Sequence, residues 1–176
     1  MNKELDTYLL QAIKYQKREW NKPEVGFVSC AIINGPNIVF GTNTINKDGM
    51  ILHAERNTIN KYKKMYGKLD DNSIAVISLS PCIEYSRNRI GTDCASYLLD
   101  SNIKRIHFAY LHEIQGTIEK YTELGFIVTQ TQIPQLELVS RNLLELYLEG
   151  KNNFGNNFEA WTKIKAINNS KVFANI

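Results

Sequence analysis

Apolar residues first recur at helical spacing, through Leu5, Leu9, Ala12 and Ile13, and the pattern then changes to a continuous β-rich run over 25–33. This predicts a helix followed by a buried strand. Asn34-Gly35-Pro36-Asn37 carries the residues of a tight turn, and Ile38-Val39-Phe40-Gly41 reads as the returning strand of a hairpin. A polar stretch over 42–49 reads as a loop leading to His53. Residues 54–66 have helical character, which puts His53 and Glu55 at that helix's start. A strand is expected over 73–79, with Cys82 soon after it. Thr92 or Asp93 can N-cap a short helix over 94–99. Next come a strand over 103–110, a helix over 117–124, a strand over 126–129 and a helix over 135–148 with Leu136, Val139, Leu143 and Leu146 along one side. Strands alternating with short helices predict a layered α/β sheet with parallel pairs. Beyond Gly150 the chain turns asparagine-rich, yet Phe158, Trp161 and Ile164 keep a spacing of three. The expected organisation is one domain over 1–149 and a C-terminal extension over 150–176, a loop plus a short docked helix.

The chemistry concentrates in His53-Ala54-Glu55, Pro81-Cys82 and Cys94. Zinc takes imidazole nitrogen and thiolate sulfur in tetrahedral geometry, and a hydrolytic site uses three protein ligands and one open position. His53, Cys82 and Cys94 supply such a set, with Asp93 or Glu84 as the substitute for Cys94. A water acidified there needs a group that accepts its proton and redelivers it to a leaving amine. Glu55, two residues past the histidine, is that group. His107 and His112 read as satisfied core or rim residues, and Cys30, within its apolar run, as a small buried hydrophobe.

A chain of 176 residues is long enough to bury a full core as a single domain. The formal charge of +3, with a pI near 8.7, comes from scattered lysines. Nucleic acid is permitted by that balance but not indicated, since Lys61, Lys63, Lys64 and Lys68 suit an ordinary solvated helix face. With two of three cysteines assigned to metal, a disulfide framework has no support and a reducing cytoplasm fits. The first residues are polar and acidic, and no apolar stretch approaches the ~20 residues that span a bilayer. A cytoplasmic protein with no membrane association is expected.

His-x-Glu, then Pro-Cys, then a second Cys, resembles the zinc-dependent cytidine/deoxycytidylate deaminase superfamily, whose glutamate is the general acid/base and not a ligand. That family usually has two residues between its cysteines, whereas eleven separate Cys82 from Cys94. The interval is closer to the pyrimidine deaminase domain of riboflavin biosynthesis, which reads roughly Pro-Cys-Ser-His-aromatic-Gly-Arg-Thr-Pro-Pro-Cys. Tyr85 and Arg87 fall at matching offsets, the insert is three residues longer, and Glu84 stands where that family has histidine.

The resemblance implies a three-layer cytidine-deaminase-like fold over about 1–145, a mixed five-stranded sheet flanked by helices, with Zn2+ as cofactor. It also implies a substrate contact at Asn43, the alternative being a turn asparagine. Read on the residues themselves, Arg87 or Arg89 holds a phosphate or belongs to a solvated loop, with Arg87 at the riboflavin-type arginine's place; Glu84 suits an amino group on the substrate, and Tyr85 either stacks on the ring or packs at the rim. The implied activity is hydrolytic deamination of an exocyclic amine on a pyrimidine or pyrimidine-like nucleoside or nucleotide, by a homo-oligomer. The alternatives are a nucleic-acid deaminase acting on tRNA or single-stranded DNA, and a catalytically idle zinc-fold binding module. An intact Glu55 argues against the last.

Overall fold

The computed structural model describes residues 2–45, 51–83, 93–112, 117–154, 158–174 and 176. Helix α1 (Asn2–Glu19) is followed by strands β1 (Val25–Asn34), β2 (Asn37–Ile45) and β3 (Ile51–Leu52) and helix α2 (Ala54–Tyr66). The chain continues through β4 (Ile74–Leu79), α3 (Cys94–Asp100), β5 (Arg105–Tyr110), α4 (Ile118–Glu123) and β6 (Ile127–Gln130), and closes with α5 (Pro134–Phe154) and α6 (Phe158–Val172). One mixed sheet has the order β3-β2-β1-β4-β5-β6. The expected parallel pairs are β4 with β5 and β5 with β6; β1 runs antiparallel to both β2 and β4.

The sheet has six strands where five were expected. The extra strand, β3, has two residues and pairs with Thr44 and Ile45 of β2. Two residues are too few to show a period of two, so that strand left no pattern to read. The hairpin turns on Gly35, whose φ of +56° is followed by proline, the combination that a II′ turn takes.

Side chains alternate across the sheet and build a core on each face. On β1, Phe27, Ala31 and Ile33 face α1, α5 and α6, whereas Cys30 and Ile32 face α2, α3 and α4. The stripe Leu5, Leu9, Ala12 and Ile13 of α1 is buried against the first face, each large aliphatic side chain contributing about 1.5–3 kcal/mol. Tyr62, Ile59 and Leu98 fill the second.

The C-terminal helices differ from expectation. Helix α5 runs straight through Gly150 because that residue lies against α6: a Cβ there would come within 3.4 Å of Ile164 and of Trp161. Helix α6, 15 residues long, enters the same core as α1 with Trp161 and Val172 buried, and Phe173, just past its end, is buried edge-on to Trp20. Its Lys165 carbonyl accepts from Trp20 Nε1 (3.0 Å), and its Lys165 Nζ donates to the carbonyls of Lys22 (2.9 Å) and Val25 (2.8 Å). Among the described residues no helix is long and apolar enough to cross a membrane.

Two close fits hold α2 on the sheet. Thr58 Oγ1, bonded to the Ala54 carbonyl (2.6 Å), occupies the space a side chain at Gly41 would need, and Asn57 Nδ2 donates to the Thr42 carbonyl (2.8 Å). Gly41→Ala is expected to cost about 1–3 kcal/mol in urea unfolding, because its Cβ would collide with Thr58 Oγ1 and come 3.4 Å from Thr58 Cα, which is backbone. An unchanged midpoint would show that α2 is not seated this closely.

His107 is fully buried, with Nε2 3.1 Å from Asp6 Oδ1 and Nδ1 2.9 Å from Thr129 Oγ1, the satisfied core position expected of it. Burial holds its imidazole below the ordinary 6.5, against the opposing pull of Asp6. As pH falls through about 6.5 the unfolded chain takes up this proton first, so stability is lost with acidification and is full above that value. His107→Gln should flatten this part of the stability–pH curve measured by denaturant titration between pH 7.5 and 5. An unaltered slope would assign the acid sensitivity elsewhere.

Candidate metal centre and cavity

Strand β3 delivers the chain directly to His53, the N-cap of α2, whose carbonyl accepts from Asn57 N at 3.0 Å. The imidazole makes no capping bond and turns to the cysteines: Nδ1 lies 3.1 Å from Cys94 Sγ and 3.8 Å from Cys82 Sγ. Cys82 follows the end of β4, and Cys94 opens α3. The amide of Cys94 donates to Cys82 Sγ (3.3 Å) and that of Ala95 to the Cys82 carbonyl (3.1 Å), which fixes the second cysteine to the first across the insert. Behind Cys82, the buried Tyr121 hydroxyl of α4 donates to the Pro81 carbonyl; burial raises the Tyr121 phenol pKa, so it remains a donor.

The donor atoms of His53, Cys82 and Cys94 lie within 4.8 Å of one another. Tetrahedral zinc at ~2.0 Å from nitrogen and ~2.3 Å from sulfur requires nitrogen–sulfur edges of about 3.5 Å. The two observed edges bracket that length, so the cluster fits the ion. Both thiols are almost fully buried. The Cys82 thiol is pulled down to about 4, first by its hydrogen bond with Cys94 and then by His53, against burial. The hydrogen bond with Cys82 and burial push Cys94 well up. Asp93, the alternative ligand, has both oxygens engaged, Oδ1 by Ser96 N (2.8 Å) and Oδ2 by Ser96 Oγ (3.0 Å), and it caps α3. Glu84, Tyr85, Arg87 and Arg89 lie outside the described residues.

A cavity of about 280 Å³ opens on this cluster and is lined by His53, Glu55 and Cys82 together with residues of the strand ends and α5. Glu55, in the first turn of α2, is 4% exposed, and burial raises its carboxyl above the ordinary range although His53 opposes the shift. Asn43 also lines the cavity. It sits within β2, not at a turn, and its Oδ1 accepts from Val28 N (2.8 Å) where the β1–β2 register shifts between Val25 and Ser29. Its carboxamide fills the place of a side chain at Gly26. Asn43 thus satisfies a β-bulge amide and faces the cavity at once.

Sequence reasoning missed a whole wall. Ser140, Leu144, Tyr147, Leu148 and Lys151 line the cavity from α5. They form a second stripe beside the core stripe, at offsets of four, seven, eight and eleven, and that periodicity is visible in the chain once α5 is known to reach Lys151. His112, just past β5, lines the cavity as well, its amide donating to Ser80 Oγ (2.9 Å).

Residues 2–110 match the family model described as the cytidine and deoxycytidylate deaminase zinc-binding region. The chain belongs to this deaminase family. His53, Cys82 and the first turn of α2 fall within the matched segment, and zinc is the metal of that region. No curated protein sequence matches the chain.

Among solved structures, the chain is similar to a diaminohydroxyphosphoribosylaminopyrimidine deaminase/5-amino-6-(5-phosphoribosylamino)uracil reductase of Thermotoga maritima, with TM-score 0.64 and 20% identity over 83% of this chain. It spans only 40% of that protein's length. It is also similar to the dCMP deaminase of cyanophage S-TIM5 (TM-score 0.54, 17% identity, 74% of this chain and 99% of that one). A C-terminally deleted Rib2 deaminase of Aspergillus oryzae aligns over 93% of this chain and 98% of its own, with TM-score 0.55 and 17% identity. At such identities the likeness is one of fold, and it places the six-stranded sheet in the deaminase class.

Cys82→Ser and Cys94→Ser should each strip zinc from the purified protein, by at least tenfold in metal per chain, because loss of one of three ligands leaves a poor tetrahedral site. Elemental analysis checks this, and full occupancy in either variant would remove that cysteine from the ligand set.

Proposed function

We propose that this chain is a zinc-dependent aminohydrolase that removes an exocyclic amine from a pyrimidine or pyrimidine-like base carried on a small nucleoside or nucleotide. The observation that carries the reading is the position of Glu55: a buried carboxyl, two residues from His53, on the wall of the cavity that also reaches His53 and Cys82 of the His53–Cys82–Cys94 cluster.

Zinc, when held by His53, Cys82 and Cys94, supplies Lewis acidity that brings a water's pKa toward neutrality. Glu55 takes one proton from the attacking water and gives it to the nitrogen as the amine departs. The net change is R–NH2 plus H2O to the carbonyl form of the ring plus NH3, and Glu55 ends as it began. Its burial on the cavity wall beside His53 suits the carboxyl to this task. The cavity volume, near the lower end of the ~300–1,000 Å³ range of small-molecule sites, suits a single base with part of its sugar. Phe27 and Tyr147 on its walls give the ring apolar faces, and Asn43 offers its amide nitrogen to the substrate. A homo-oligomer in the cytoplasm belongs to the same reading.

The experiment is a mass-spectrometric screen of bases, nucleosides, nucleotides and short single-stranded oligonucleotides for the roughly one-dalton gain of amine-to-carbonyl exchange. Wild type should convert a nucleoside or nucleotide. Glu55→Gln should retain zinc and lose at least about 10²-fold in kcat. Turnover undiminished in Glu55→Gln would reject the role of this carboxyl, and conversion confined to oligonucleotides would replace the small-molecule reading.

A further inference from the structure

We infer that the substrate enters the cavity as a nucleoside monophosphate, with its phosphate held by the Lys151 ammonium at the cavity rim. The base and its deamination rest on the reading above, whereas the cation at the rim does not.

Lys151 is exposed and lines the cavity from the last turn of α5. A long side chain in a helix leans back toward the helix N-terminus, over the residues three and four positions earlier. For Lys151 those are Leu148 and Tyr147, both of them cavity residues, and Nζ lies 5.9 Å from the centre of the Tyr147 ring. This cation–π contact keeps the ammonium beside the cavity wall and leaves its N–H groups to water. Tyr147 is itself held in place, its ring packed on Phe27 (5.8 Å) and Trp161 (5.3 Å). Among the described residues no carboxylate pairs with Lys151, and no other lysine or arginine lines the cavity. Glu55 is the one acid among the lining residues.

The two ends of the cavity belong to opposite layers of the fold. His53 and Cys94 begin helices that cover one face of the sheet, whereas Lys151 belongs to a helix that covers the other. The cavity bridges the layers, so a base presented to His53, Cys82 and Glu55 has its sugar to extend toward α5. A nucleoside would bring only a hydroxyl to that end. A nucleotide brings an anion to an unpaired cation, and lysine takes phosphate as a point charge through three N–H donors. Lys151 also lies beyond residues 2–110, the segment that the family model matches, so the phosphate contact is no part of the shared zinc-binding region.

The deamination screen tests this when each base is supplied both as nucleoside and as monophosphate to the full-length, zinc-loaded protein. Wild type should prefer the monophosphate. Lys151→Met should lower kcat/KM for it by about 5- to 30-fold, mostly through KM, and leave conversion of the nucleoside unchanged. Lys151→Arg should keep most of the preference, and Lys163→Met, which removes an exposed lysine of α6 outside the cavity lining, should keep all of it. Zinc per chain and Tm should stay at wild-type values in all three variants. A preference that survives Lys151→Met, or a wild type indifferent to the phosphate, overturns the inference. Independently of turnover, the phosphorus NMR resonance of cytidine 5′-monophosphate should shift on adding zinc-loaded wild type and not on adding Lys151→Met. That result in a protein that deaminates nothing sustains the phosphate contact and rejects the deaminase reading alone. A shift of equal size with both proteins, or with neither, overturns the contact.

Discussion

Two backbone amides at the start of α3 hold this architecture to its chemistry. Cys94 N on Cys82 Sγ and Ala95 N on the Cys82 carbonyl join Cys82, just past β4, to a helix that begins twelve residues later. Because the joint is made by main-chain donors, it is indifferent to what lies between. The insert of eleven residues, against eight in the riboflavin-type pattern, adds only about 0.3 kcal/mol of closure entropy, since that term grows with the logarithm of loop length. A spacing that looks anomalous along the chain therefore costs almost nothing in the fold, and the cysteines meet regardless.

The third donor depends on a different constraint, the close seat of α2 on the sheet. Gly41 admits Thr58, Gly26 admits Asn43, and the two-residue strand β3 turns the chain so that His53 becomes the helix N-cap. The absence of side chains at two positions is thus as much part of the site as the ligands are. The metal cluster and cavity lie beyond the C-terminal end of β4, where β4 pairs parallel with β5 on one side and antiparallel with β1 on the other. Ligand sites of open α/β sheets gather at the carboxyl ends of the strands for the same reason: chain ends and helix starts converge there and leave amides and side chains unspent.

What the sequence made legible follows from these constraints. Helix α2 was readable to the residue because His53 and Gly67 bound a run of good helix formers, and the four core positions of α1 were readable from their period. The His53, Glu55 and Cys82 positions announced themselves because soft ligands and a carboxylate in that order have few structural uses. Gly150 misled, since a glycine that ends a helix and one that lets a second helix approach look alike until the partner is known; Trp161 and Ile164 are that partner. Asn43 was half legible: its place in the cavity came from resemblance, whereas its bond to the bulged Val28 amide has no counterpart in any local pattern. His112 was expected to be satisfied, yet its Nδ1 has no hydrogen-bond partner among the described residues, and Ser140 gave no signal at all, because an unpaired imidazole nitrogen or hydroxyl is a property of the assembled side chains, not of any stretch of chain.

Helix α5 carries a double obligation that explains the shape of the C-terminal region. One of its stripes, Leu136, Val139, Leu143 and Leu146, seals the first core, and the adjacent stripe, from Ser140 to Lys151, forms a cavity wall. A helix so placed cannot rotate to improve one contact without spoiling the other, so its rotation must be fixed from behind. Helix α6 supplies the fixing. Trp161 packs on Tyr147 and Phe27, and Gly150 brings the two helices close enough for that packing. Lys165 then ties α6 to the carbonyls that lead into β1, the strand that supplies Phe27 and Val28 to the same cavity. The chain beyond Gly150 is therefore mechanically part of the cavity wall although few of its own residues touch the cavity.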